Sequence, residues 1–168
     1  NFLLKFKSYK KNEKIKSICV GNIYIGGTGK TPTTIKLFHI FQELNFKVLT
    51  AKKFYKSQID EIKILEKKTK FLTKKNRNLV LQQAIKNNFD IVIFDDGLQD
   101  KAMNYNLKCV CFDAENFIGN GLLIPAGPLR EKIGSLKKYD GVFLKNSKNK
   151  YYNEILKNIN SRIEIFNT

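Results

Sequence analysis

The segment Gly26-Gly27-Thr28-Gly29-Lys30-Thr31 constrains this chain more than any other. It lies between an apolar, strand-like run, Lys16 to Ile23, and a stretch from Pro32 to Asn45 in which Leu37, Ile40, Phe41 and Leu44 recur at helical spacing. Pro32 is tolerated in a first turn, where its missing N–H has no intrahelical partner. A glycine loop joining a strand to a helix start is a phosphate cradle: glycines let backbone N–H groups turn inward, and the helix dipole favours an anion. Lys30 is placed to reach β- and γ-phosphates, and the Thr31 hydroxyl to ligate Mg²⁺. The strict pattern G-x-x-x-x-G-K-[ST] is not met, because Tyr24 stands where the first glycine belongs; Gly26 and Gly27 can supply the turn instead. The candidate nucleotide-binding residues are therefore Tyr24, Ile25, Gly26, Gly27, Thr28, Gly29, Lys30 and Thr31. A glycine-rich turn that merely precedes a lysine is the bland alternative.

A second signal is Asp90-Ile91-Val92-Ile93-Phe94-Asp95-Asp96-Gly97, an apolar strand that delivers two carboxylates at its C-terminal end. Ligands of open parallel sheets bind at such ends, so Asp95 and Asp96 can lie beside the phosphate loop, one carboxylate holding Mg²⁺ through water while the other orients it or handles a proton. Taken alone, Asp-Asp-Gly is as often a turn. Around these anchors β-rich runs alternate with helical ones. Strands are expected at Lys47 to Ala51, Lys108 to Phe112 and Asp140 to Leu144, with a short run at Phe71 to Thr73. Helices are expected at Ile59 to Lys68, Asn76 to Asn88 and Tyr151 to Ile159, while Arg162 to Phe166 either returns to the sheet or leads away. The alternation implies a P-loop NTPase-like three-layer α/β/α sandwich with a mainly parallel sheet, one nucleotide-binding domain over residues 1–168. A start at Asn1 and an end at Thr168, close behind a strand-like run, suggest a fragment of a longer protein.

A net charge of +16 suits an anionic partner, yet only three of the 31 basic residues are arginines, the side chain that nucleic-acid readers exploit. The excess lysine, with pairs such as Lys10-Lys11, Lys52-Lys53 and Lys74-Lys75, reads as a solvated surface, and no nucleic acid is expected as partner. Cys19, Cys109 and Cys111 sit in apolar runs and read as small buried thiols in a reducing, cytosolic compartment; Cys109 and Cys111 should share one strand face. No apolar run reaches the roughly 20 residues that span a bilayer. The opening Phe2-Leu3-Leu4-Lys5-Phe6-Lys7 mixes apolar and basic residues as interfacial segments do, or is a frayed terminus.

Three blocks in order carry a resemblance: Gly21-Asn22-Ile23 ahead of the glycine loop and Pro32; Asp95-Asp96-Gly97-Leu98-Gln99; and Phe117-Ile118-Gly119-Asn120-Gly121-Leu122-Leu123-Ile124-Pro125-Ala126-Gly127-Pro128-Leu129-Arg130-Glu131. Together they closely resemble the lipid A 4'-kinase (tetraacyldisaccharide 4'-kinase) family, with matches from about Val20 to Asn146. The resemblance implies transfer of the γ-phosphate of ATP, with Mg²⁺, to the 4'-hydroxyl of a tetraacyldisaccharide 1-phosphate by a peripheral protein at the cytoplasmic face of the bacterial inner membrane. It implies that Lys30, Asp95 and Asp96 serve the catalytic centre with Thr31 and Asp95 on the metal, that Asp60 is the base, and that Glu61, Arg130 and Glu131 contact the lipid substrate.

The chain departs from the family at two places. Lys52-Lys53-Phe54-Tyr55 replaces an Arg-Gly-Tyr-Gly turn, and Asp100 stands where a His is common. The sole histidine, His39, falls within the first helix and reads as a surface residue rather than a partner for the base. Another P-loop ATPase or GTPase with a deviant loop is the competing reading. Such proteins typically carry Lys at the position of Ile25, and GTPases an Asn-Lys-x-Asp reader, which Lys145-Asn146-Ser147-Lys148 does not match.

Overall fold

A computed structural model describes residues 15–147 and 151–168. The apolar-basic opening, the Lys10-Lys11 pair and Lys148 lie outside the described residues. Seven strands, β1 (Lys16–Gly21), β2 (Val48–Lys53), β3 (Phe71–Lys74), β4 (Ile91–Asp95), β5 (Leu107–Asp113), β6 (Gly141–Lys145) and β7 (Glu164–Asn167), form one sheet in the order β3-β2-β4-β1-β5-β6-β7. Every pairing is parallel. The helices are α1 (Lys30–Glu43), α2 (Ile59–Lys68), α3 (Arg77–Lys86) and α4 (Tyr151–Ile159), with short 3₁₀ turns at Lys56–Gln58 and Ile133–Lys138.

The alternation of side chains along each strand divides the core into two layers. Ile18 and Val20 of β1 face Leu37, Phe38 and Phe41 of α1, together with Cys109 and Cys111 of β5. Cys19 faces the other way, onto Val80 and Ala84 of α3. On that second side Val110 and Val142 pack against Leu136 and Leu156. Both faces of the sheet are covered, so β1 and β4 are buried almost throughout, with unbroken apolar runs at Ile18 to Val20 and Ile91 to Phe94. Phe41 is fully buried between α1 and the sheet, a position where truncation to Ala typically costs ~3–5 kcal/mol.

Helix ends follow from local sequence. α1 and α3 each stop at an Asn in the left-handed region, Asn45 (φ 62°) and Asn88 (φ 53°), followed by Phe. The Phe46 amide donates to the Phe41 carbonyl and the Phe89 amide to the Ala84 carbonyl, both at 3.0 Å, which is the paired closure of a Schellman cap with its apolar contact. The start of α3 lies one residue later than the sequence suggests, because Asn76 is its N-cap and accepts from the Asn78 amide at 2.8 Å. The segment near Arg162 returns to the sheet as β7, and β2 runs on to Lys53 instead of ending at Ala51. His39 is exposed on α1, as expected. Among the described residues no helix is long and apolar enough to cross a membrane.

Candidate active site

The parallel sheet brings the ends of β1, β4 and β2 together. Val20 pairs with Asp95 across β1 and β4, and Ala51 with Phe94 across β2 and β4, so the residues that follow emerge side by side. From β1 the chain enters the glycine loop. Gly26 (φ 117°) and Gly29 (φ 81°) occupy backbone regions that side chains disfavour, and Gly29 is the N-cap of α1. The loop is held from within: the Thr28 amide donates to the Gly26 carbonyl at 3.0 Å, and buried Asn22 donates through Nδ2 to the same carbonyl at 3.4 Å. It is also held from outside by the Phe117-to-Glu131 segment. Tyr24 bridges Leu129, the Ile25 amide donates to Pro128 O at 2.8 Å, and the Arg130 amide donates to Ile23 O at 2.7 Å.

Lys30 and Thr31 open α1 with the loop amides at their back. Thr31 Oγ1 donates to Asp95 Oδ2 at 2.8 Å. Asp95 is fully buried, and its other oxygen, Oδ1, has no hydrogen-bond partner among the described residues. Burial pushes its carboxyl above the usual range, opposed by Lys52, the Thr31 hydroxyl and Lys30. Asp96 adopts φ 61°, donates its amide to Val20 O at 2.8 Å and lies 3.5 Å from Arg130 Nη1 through Oδ2. An open cavity of about 950 Å³ runs along the glycine loop past Thr31, Glu61, Asp96 and Arg130 to Phe143, Lys145, Asn146 and Phe166 at the ends of β6 and β7. That is room for a nucleoside triphosphate. A second, polar cavity of about 510 Å³ shares Gln58, Asp96 and Arg130 with the first and is lined also by Lys53, Arg77, Gln99, Asp100 and Lys101.

The donor set fits magnesium. Mg²⁺ keeps several waters and takes one or two protein oxygens plus substrate phosphates, so a buried carboxylate oxygen without a partner beside a Thr hydroxyl at a phosphate loop suffices. Among the described residues no group of three or more His, Cys, Asp or Glu side chains forms an all-protein metal cage.

The structure gathers Gly26 to Thr31, Glu61, Asp96 and Arg130 on one cavity, with Asp95 directly beneath Thr31. Tyr24 and Ile25 hold the loop rather than line that cavity; Tyr24 instead borders a small cleft with Asp113 and Phe117. Asp60, in the first turn of α2, is exposed and lies outside both cavities, whereas its neighbour Glu61 points in. Glu131 is occupied as a tie: it accepts from Gln99 Nε2 at 2.7 Å and from the Tyr139 hydroxyl at 2.8 Å.

Two residues were not singled out by sequence. Lys52 reads there as half of a solvated pair; it is the most buried lysine described, 1% exposed, with Nζ 2.7 Å from Glu61 Oε2 and 3.3 Å from Asp95 Oδ2. Burial disfavours its charge, but Asp95 and then Glu61 more than offset this and raise its pKa. Its position at the C-terminal end of a parallel strand was the available signal. Arg77, also buried, donates to the Asp96 carbonyl and to Asp100 Oδ2 at 2.6 Å. The residue that replaces a common His thus has its own partner.

The family described as tetraacyldisaccharide-1-P 4'-kinase matches residues 4–168. A tetraacyldisaccharide 4'-kinase of Pelagibacter ubique is 47% identical over 167 residues, covering 97% of this chain and 53% of the relative. The enzyme of the same name from Haemophilus influenzae is 33% identical, over 83% of this chain and 48% of its own length. The chain thus spans about half the length of the curated relatives it matches. Among solved structures, LpxK from Aquifex aeolicus in complex with ATP superposes with a TM-score of 0.66 at 20% identity, over 85% of this chain and 52% of that one. FtsY from Mycoplasma mycoides also gives 0.66, at 15% identity, over 94% of this chain and 62% of that one. At these identities the structures establish the P-loop α/β fold alone, whereas the sequence matches go further: the chain belongs to the tetraacyldisaccharide-1-P 4'-kinase family.

Proposed function

We propose that this chain is the nucleotide-binding part of a kinase that transfers the γ-phosphoryl group of ATP to the 4'-hydroxyl of a tetraacyldisaccharide 1-phosphate in lipid A biosynthesis. The observation that carries the reading is the meeting of Thr31 with Asp95 at 2.8 Å, at the foot of a cavity lined by Lys30 and the glycine loop. The loop amides and Lys30 hold the triphosphate and stabilise charge on the transferring group. Thr31 and Asp95 would hold Mg²⁺, which when bound supplies charge neutralisation at the phosphates. The acceptor enters by the polar cavity beyond Asp96, lined by Arg130, and meets Glu61 where that cavity opens into the nucleotide cavity, with Glu131 holding the Gln99 side of the rim. A bond forms between the 4'-oxygen and the γ-phosphorus as the bond to ADP breaks, and the hydroxyl proton passes to Asp60. The exposure of Asp60 means that α2 must turn toward the acceptor, or the acceptor must reach over it. The lipid acceptor implies a peripheral protein working at the cytoplasmic face of the bacterial inner membrane.

The test uses the intact protein, acylated disaccharide 1-phosphate and γ-labelled ATP, with GTP as control. Label should pass to the lipid, and Lys30→Ala should abolish the transfer. Transfer from GTP in preference to ATP, or hydrolysis without lipid labelling, would favour the alternative ATPase or GTPase.

A further inference from the structure

A lysine ammonium is rarely buried without strong partners, because its desolvation must be offset by charge and hydrogen bonds. Lys52 has both kinds, and they are asymmetric. The register that pairs Ala51 with Phe94 carries Lys52 alongside Asp95, on the side opposite to β1. Its Nζ and the Thr31 hydroxyl converge on the same oxygen, Asp95 Oδ2, at 3.3 and 2.8 Å. Oδ1 of the same carboxylate, equally buried, accepts no hydrogen bond among the described residues. A carboxylate clamped on one oxygen cannot rotate to share its charge, so the other oxygen points in a fixed direction. The opposite end of the clamp is Glu61, 2.7 Å away in the first turn of α2.

We infer that Lys52 is a positioning residue for the divalent cation: by occupying Asp95 Oδ2 together with Thr31, it reserves Oδ1 for the hydrated metal that accompanies a nucleoside triphosphate. It touches neither nucleotide nor acceptor, and through Glu61 it ties the start of α2 to the same point. The inference rests on the nucleotide-binding half of the proposed function and not on the identity of the acceptor.

The experiment measures ATP affinity of the intact protein calorimetrically, with and without Mg²⁺, for the wild type, Lys52→Met and Lys52→Arg. Outer partners of metal ligands typically change metal affinity by about 10–100-fold, so in Lys52→Met the gain in ATP affinity on adding Mg²⁺ should shrink by about that factor. Metal-free ATP affinity should stay within about twofold, because Lys30 and the loop amides are untouched. Lys52→Arg, which keeps a cation between the two carboxylates, should recover most of the Mg²⁺ response. A folded Lys52→Met with an unchanged Mg²⁺ response overturns the inference, as does an equal loss of metal-free and metal-bound affinity, the mark of a merely structural strut. Should Lys52→Met fail to fold, Lys52→Gln keeps a donor in the same space; a partial loss confined to the Mg²⁺ response supports the inference, and an unchanged response overturns it. A wild type that binds no ATP removes the proposed function itself, a result distinct from any of these.

Discussion

Asp100→Asn tests the Arg77 anchor. The Arg77 side chain is 7% exposed, and its charge is met by the Asp100 carboxylate at 2.6 Å and the Asp96 carbonyl, while Nε has no partner among the described residues. The substituted side-chain amide would keep an oxygen for Ala102, whose backbone amide donates to Asp100 Oδ1 at 3.1 Å, but would set its NH2 group, a donor, against the Arg77 guanidinium in place of Oδ2, leaving that cation the neutral Asp96 carbonyl. Removing one partner of a buried ion pair costs ~3–5 kcal/mol, whereas exposed pairs contribute about 0–1. Because the Asp100 side chain is 25% exposed, the expected loss lies between those limits, about 2–3 kcal/mol. For a chain of this size that lowers Tm by roughly 4–12 °C. The pH dependence has a definite sign. Although partial burial works against its charge, the Arg77 hydrogen bond and the Ala102 amide hold the Asp100 carboxyl below its ordinary value. A carboxyl with a depressed folded pKa stabilises above its unfolded value, near pH 3.9, and loses that contribution as pH falls through the lower folded value. The gap in urea midpoint between wild type and Asp100→Asn should therefore be full at pH 7 and should close below about pH 4. Equal midpoints at pH 7, or a gap that persists undiminished at acid pH, would refute the assignment of a charged, buried anchor.

Gly29→Ala places a side chain at φ 81°, where an L-residue is strained by ~1–2 kcal/mol although the nearest atom, Lys145 Cδ, is 3.7 Å from the new Cβ. Stability should fall by that amount and ATP affinity by more than tenfold, checked by thermal melting and calorimetry. Asp60→Ala, on an exposed helix start, should leave stability and ATP affinity nearly unchanged and depress only the phosphoryl-transfer step; unaltered single-turnover rates would remove it as the base. The buried thiols should be inert: burial pushes Cys111 up to about 12 and Cys109 well above the usual thiol range, so the native chain should resist alkylation at pH 8 and label only when denatured.

The strand–loop–helix unit and the Asp95-Asp96 strand were legible in sequence because each writes its own local pattern: an apolar run, then glycines or carboxylates, then a change of period. The parallel sheet followed from alternation, and the two buried cysteines of β5 from spacing. Lys52 and Arg77 were not legible, because Asp95 and Asp100 lie far along the chain and Glu61, though nearer in sequence, meets Lys52 only in the folded chain. Asp95 is 43 positions from Lys52, and Asp100 is 23 from Arg77. Composition treats such residues as solvated charge; only pairing in the folded state makes their burial tolerable. Asp60 and Glu131 show the opposite limit. Their place in a motif marks them, yet Asp60 stands outside both cavities and Glu131 is held by Gln99 and Tyr139.

The convergence of Lys30, Thr31 and Asp95 on one magnesium–triphosphate pocket is tested most directly by titrating Mg·ATP into the intact protein and its Lys30→Ala and Asp95→Asn variants. One ATP per chain should bind, with Lys30→Ala losing affinity in any buffer and Asp95→Asn losing only the part that Mg²⁺ adds. Binding that is indifferent to both substitutions would contradict the account.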